Sequence, residues 1–305
     1  MDYLEKLQKE YAMSGLISFH LNDEGVIVAD IDNDFATASI SLNGGHLLSW
    51  QPKDQVKPVI WLSKQAKIAA GKSIRGGIPL CWPWFGAHSS EDTYPAHGYA
   101  RTSHWAVTET AALANGETEI ELSLEESEAS ETYWPYATPL TLRITIGKTL
   151  KLALTTRNDS ADSVTITEAL HTYFHISDIT SVSVTGLENT EYLDKVDNFA
   201  SKRQEGNIQF HSETDRVYIN SAQDCTIIDP ELQRRIRISK SSSNATIVWT
   251  PWTEKAEKMG DLGENDGWRT MLCVESGNAM ENTITIAPGN SHTLVAHYSV
   301  EALEK

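Results

Sequence analysis

The run Met271-Leu-Cys-Val-Glu275-Ser-Gly-Asn278 sets one carboxylate in a nearly apolar stretch and is expected to turn at Gly277-Asn278. Desolvation penalises a buried carboxylate unless it is paired or used. Glu275 is therefore the most informative acid in the chain, as a general base or as a structural acid paired with an arginine. Imidazoles come earlier, in Thr167-Glu168-Ala-Leu-His171-Thr-Tyr-Phe-His175-Ile-Ser-Asp178. Neutral imidazole near a carboxylate is the usual material for proton transfer at neutral pH. If this segment is a strand, His171, Tyr173 and His175 share one face and Thr172 and Phe174 the other. A histidine held only by structural hydrogen bonds is the plainer alternative. His-x-x-x-His is a ligand pair on a helix, whereas on a strand the two rings are far apart, so no metal is expected there.

Two stretches between residues 71 and 101 could hold an anionic or hydroxylated ligand. In Gly71-Lys-Ser-Ile-Arg75-Gly-Gly-Ile-Pro-Leu-Cys-Trp-Pro-Trp-Phe-Gly86 an arginine precedes paired glycines and then three aromatics among prolines. Glycine permits close backbone approach or a positive φ, and aromatic faces suit the C–H face of a sugar; a bulge at the glycines and tryptophans in the core would explain the same residues. Ala96-His97-Gly98-Tyr99-Ala100-Arg101 follows closely. Arg75 and Arg101 could fork onto one carboxylate or phosphate, or each could pair with a surface acid. Asp194, in Tyr192-Leu-Asp-Lys-Val, reads by itself as a turn residue. No Gly-x-Ser-x-Gly or Cys/His signature supports acyl transfer.

The elements that must position these residues are strands. Leu140, Leu142, Ile144 and Ile146 alternate with polar residues, Gly147-Lys148 interrupts, and Leu150, Leu152 and Leu154 resume, which is a hairpin signal. Ile120/Leu122/Leu124, Ile236/Ile238, Ile284/Ile286 and the run from Leu294 repeat the period. Helical spacing is confined to Leu4, Leu7 and Tyr11, in a short helix within residues 1–15 that packs on the rest. With no Gly-x-Gly-x-x-Gly, no P-loop and no long helices, the expected fold class is all-β, an antiparallel sandwich forming one domain over residues 1–305. The polar segment 254–267 reads as an excursion over the sheet.

The chain has 305 residues, with 25 Lys+Arg against 42 Asp+Glu and a net charge of −17. Without a basic run, a nucleic-acid partner is not expected. The charged N-terminus lacks the apolar core of a signal peptide and no run spans a membrane, so a soluble, cytoplasmic protein is expected. Cys81, Cys225 and Cys273 are widely spaced and read as buried filler.

Four motifs in order, IRGGIPLCWPWFG, HGYAR, EALHTYFHI and CVESGN over residues 71 to 278, resemble those of the glucose-6-phosphate 1-epimerase group within the aldose 1-epimerase superfamily. GGHLLSWQP at 44–52 and VIWLS at 59–63 extend the resemblance toward the N-terminus. It implies a galactose-mutarotase-like supersandwich with a sugar cleft on one concave face, and interconversion of the α and β anomers of hexose 6-phosphates. It also implies that no metal or other cofactor is needed, and a monomer is expected. By resemblance, His171 is the general acid toward the ring oxygen and Glu275 the general base toward the C1 hydroxyl. Arg75, His97 and Arg101 are substrate contacts, as is Asp194 on a thinner match. Some relatives carry Gln where this chain has Ala96, which removes one polar contact. Activity on unphosphorylated sugars, or a silent sugar-phosphate-binding protein, are the alternatives.

Overall fold

The computed structural model describes residues 2–262 and 266–303. The middle of the expected excursion, 263–265, lies outside them. Strands dominate, and all the ladders pair antiparallel. A nine-stranded sheet runs in the order Ile208–Gln209, Ser183–Thr185, Cys225–Asp229, Arg234–Ser241, Ser291–Ala302, Leu150–Arg157, Leu140–Ile146, Thr118–Leu124 and Trp105–Ala112. The expected hairpin pairs Leu140 with Thr156 and Ile146 with Leu150. Its leucines and isoleucines are fully buried, so trimming one, Leu142 for example, to alanine costs about 2–5 kcal/mol.

The facing eight-stranded sheet carries the chemistry. Its order is Ala200–Arg203, Glu191–Asp194, Thr214–Tyr218, Ala245–Thr250, Met271–Asn278, Glu168–Leu170 and Leu80–Cys81, with Tyr173–His175 also on Met271–Asn278. The two sheets share one apolar core. Polar contacts stitch them as well: Thr172 Oγ1 lies 2.7 Å from the Tyr298 hydroxyl, and Trp82 Nε1 donates to Thr156 Oγ1 at 3.0 Å. A four-stranded sheet over Ile17–Leu21, Ile27–Asp32, Ala36–Ser41 and His46–Pro52 flanks this sandwich.

The N-terminal helix spans Tyr3–Glu10 and buries Leu7. Two further helices, Glu128–Tyr133 and Trp252–Met259, are not expected from the sequence, and the second forms the start of the expected excursion. The Glu275 strand differs in another way: it runs through Gly277 and Asn278 instead of turning there. Gly277 is needed because a Cβ would stand 2.5 Å from the Glu168 carbonyl oxygen on the neighbouring strand.

Candidate active site

Alternation on adjacent strands builds one face of a cavity of about 300 Å³ on the eight-stranded sheet. In register, Glu275 lies opposite Ile247, and Trp249 lies opposite Asp215; all four line the cavity. On the other side of the Glu275 strand, Leu170 pairs with Ser276 and Tyr173 with Cys273. The register is unchanged across the gap, so His171 and Thr172 stand opposite Glu275 and Val274. The ladder itself is interrupted there, because His171 N–H donates to the Pro79 carbonyl and Thr172 N–H to the Leu170 carbonyl. The 167–178 segment is thus two short strands with His171 at the break.

His171 Nε2 lies 3.4 Å from Glu275 Oε1, with the side chains 13% and 1% exposed. The His171 ring stacks on Tyr173 at 5.1 Å between centroids and meets the Trp249 ring edge-on, which fixes its plane. Burial pushes the Glu275 carboxyl well above its ordinary value, and the nearby Asp215 adds to this, while Lys195 and Arg101 oppose it. Burial likewise holds His171 well below its ordinary value, helped by the neighbouring His97, Arg101 and Arg75. Both directions favour the uncharged form of each group in the free protein, a protonated carboxyl beside a neutral imidazole, so that the pair shares one proton. The charge-separated form needed for a base at Glu275 and an acid at His171 is its tautomer, one proton transfer away.

Arg75 is brought to the cavity by a glycine turn whose role is steric. Gly76 and Gly77 have φ of 103° and 66°, and a Cβ on Gly77 would stand 2.4 Å from both His46 Nε2 and the Leu47 carbonyl oxygen. The glycines therefore thread backbone past backbone, and it is the arginine that faces the cavity. Its Nε donates to Asp261 Oδ1 and its Nη1 to the Tyr173 hydroxyl, both at 3.0 Å. Arg101 is held differently: Nη2 donates to the Ala96 carbonyl at 2.7 Å, and among the described residues it has no carboxylate partner. Ala96 thus contributes its backbone to placing the cation.

His97 lines the same cavity, its ring 5.7 Å from that of His171. Burial, with Arg101, Lys195 and Arg75 nearby, pushes it down to about 3. The Gly86 N–H donates to Nδ1 at 3.3 Å. The neutral ring therefore carries its proton on Nε2, a hydrogen-bond donor.

Asp194 is placed elsewhere. It does not line the cavity; its carboxylate accepts from Lys202 Nζ at 2.8 Å and from the Val196 N–H at 3.1 Å, as the acid of a strand-end turn. Besides Glu275 and Asp261, the cavity is faced by Asp215, ion-paired to Lys195 at 3.0 Å. Lys255, on the Trp252–Met259 helix, completes a cationic rim and pairs with Glu213. Nothing in the sequence marks Asp215, the middle one of three consecutive polar residues, Thr214-Asp-Arg216, that open its strand. His175 points into a separate depression beside Trp61, so the two histidines of the His-x-x-x-His spacing do not converge. Trp82 is core, and all three cysteines are buried.

Residues 28–299 match the sequence profile described as aldose 1-epimerase. The chain belongs to that family. An Escherichia coli K12 protein provisionally named glucose-6-phosphate 1-epimerase is 37% identical over 253 residues, covering 82% of this chain and 83% of that one. A Cenchrus ciliaris protein with the same provisional name is 35% identical, covering 83% and 78%. The crystal structure of a Salmonella typhimurium protein provisionally described as a mutarotase superposes with a TM-score of 0.87 at 31% identity, over 95% of each chain. A galactose mutarotase-like protein from Clostridium acetobutylicum, 13% identical, shares the fold at a TM-score of 0.71 over 95% of this chain and 100% of its own. This member of the aldose 1-epimerase family is therefore an all-β, galactose-mutarotase-like isomerase. No helix among its described residues is long and apolar enough to cross a membrane.

Proposed function

We propose that this protein interconverts the α and β anomers of hexose 6-phosphates, with glucose 6-phosphate as the representative substrate. The observation that carries the reading is an acid–base pair 3.4 Å apart on the wall of a cavity that also presents Arg75 and Arg101. The two oxygens on a hemiacetal carbon are close neighbours, so one pair of groups can serve both. The C1 hydroxyl donates to Glu275 and the His171 N–H donates to the ring oxygen. Those hydrogen bonds favour the carboxylate and the imidazolium, which draws the shared proton onto His171.

Glu275 takes the hydroxyl proton as His171 protonates the ring oxygen, and the C1–O5 bond breaks to give the open aldehyde. Rotation about C1–C2 and closure with the roles reversed yields the other anomer. Neutral His97 donates to a sugar oxygen, and Asp215 accepts from a sugar hydroxyl. Arg101, without a carboxylate of its own, is the cation best suited to a phosphate dianion; Arg75 is steadied by Asp261 and Tyr173 and presents its remaining N–H groups. Binding the remote phosphate contributes orientation at C1.

The test compares kcat/KM for hexose 6-phosphates and free hexoses by NMR exchange. A preference for the phosphorylated sugar of at least about tenfold supports the reading, on the scale of one hydrogen bond to a charged group. Equal values move the assignment to an epimerase of unphosphorylated sugars.

A further inference from the structure

Next to the cavity-lining pair, and itself fully buried, is a third group that the acid–base reading leaves unused. Cys273 lies two residues before Glu275 on the same strand, so both side chains leave the same face of the sheet. His171 stands across from Glu275. One ligand atom from each of His171, Cys273 and Glu275 lies within 4.8 Å of the other two. Glu275 Oε2 is buried with no hydrogen-bond partner, so an oxygen remains to coordinate. The 3.4 Å between His171 Nε2 and Glu275 Oε1 is also close to the separation of about 3.3 Å between two ligand atoms about 2.0 Å from a tetrahedral metal.

We propose that His171, Cys273 and Glu275 form a site for a thiophilic divalent cation of the zinc or cadmium type, and that the cation inhibits the isomerase by occupying its acid and its base. The inhibitory consequence rests on the catalytic reading above; the binding does not. One imidazole nitrogen, one thiolate and one carboxylate form a donor set suited to these metals and poorly suited to magnesium or calcium. On binding, the Cys273 thiol and the Glu275 carboxyl each release a proton to solvent. The dication with two anionic ligands is then neutral, which removes most of the cost of burying charge. Arg101 and Lys195 face the site and oppose a cation, whereas Asp215 favours one. Neutrality of the ligated cluster makes the opposition small.

The test uses the full chain and two readouts. Titration with CoCl2 is followed by near-UV absorbance, where cobalt bound to thiolate gives a charge-transfer band, and ZnCl2 is then added to displace it. Anomerisation of glucose 6-phosphate is assayed with increasing ZnCl2. The wild type is expected to show the band and to lose at least about tenfold in rate. Cys273→Ala and Cys273→Ser lose the band, keep their metal-free rate, and need at least about 10–100-fold more zinc for half-inhibition, since losing a ligand costs no less than losing a group that orients one. Circular dichroism verifies folding; if the alanine variant fails, the near-isosteric serine carries the comparison. Cys81→Ala and Cys225→Ala keep the band. No band in the wild type, or a band or zinc sensitivity unchanged in the Cys273 variants, overturns the proposal. Because the band needs no turnover, an inactive wild type refutes the proposed function without deciding the metal site.

Discussion

His171 and Glu275 stand directly opposite each other in one antiparallel register, with Nε2 3.4 Å from Oε1. Sharing one proton, they act as a unit, so their losses should not add. His171→Ala and Glu275→Gln are each expected to lower kcat by roughly 10²–10⁴-fold. The double variant should be little slower than the worse single one. Stopped-flow polarimetry on the three proteins measures this; fully multiplicative losses would show the two residues working independently.

The pH profile follows from the same pair. Its working form carries one proton: a second, added at low pH, removes the base, and loss of the first at high pH removes the acid. His171 is held well below its ordinary value and Glu275 well above its own, which widens the pH range of the one-proton form in the free protein. kcat/KM, which reports the free protein, is expected to stay level through pH 6.5 on an unphosphorylated hexose, whose own charge does not change, with its acid limb lower. A midpoint at 6.5 would mean a histidine at its ordinary value.

Arg101 separates phosphate binding from chemistry. Arg101→Ala should cut kcat/KM for a hexose 6-phosphate by about 10–100-fold, the value of a charge-assisted contact, and change the free hexose by less than about threefold. Arg75→Ala should do less cleanly, because it also releases Asp261 and the Tyr173 hydroxyl that stacks under His171. Parallel kinetics on the two sugars check both.

His46 links acid stability to the turn that carries Arg75. It is fully buried, donates from Nε2 to the Gly76 carbonyl at 2.8 Å, and burial lowers it to about 4. A depressed value means stability that is complete above pH 6.5, the unfolded value, and is lost as pH falls toward 4. The contribution is of the order of 3 kcal/mol. Urea unfolding at pH 7 and pH 4.5 should show this loss in the wild type and a smaller one in His46→Gln. Gly77→Ala should destabilise at every pH, by about 1–3 kcal/mol or more, since its Cβ meets His46 and the Leu47 backbone.

The residues readable in the sequence were those whose type conflicts with their surroundings. Glu275 stands out because a carboxylate is costly in an apolar strand, and Arg75, His97 and Arg101 because they sit among glycines and aromatics in a chain poor in cations. The all-β class followed from period-two patterning as regular as that of Leu140–Ile146. Asp215 was hidden because an acid on the solvent face of any strand gives the same pattern; only pairing of its strand with Ala245–Thr250 turns that face into a cavity wall. Around Asp194 the placement differs between neighbours: Asp194 folds back on Lys202, while Lys195 reaches the cavity and pairs with Asp215. The meeting of His171 and Glu275 is a matter of register between segments about a hundred residues apart, which no local pattern encodes.

The most direct test follows the anomerisation of α-glucose 6-phosphate by polarimetry or NMR exchange, using wild type, His171→Ala and Glu275→Gln, with free glucose in parallel. Acceleration by the wild type, strong with the phosphate and lost in both folded variants, is the predicted result. Absence of acceleration of either sugar by folded wild type, or acceleration that survives both substitutions, would contradict the assignment of acid and base.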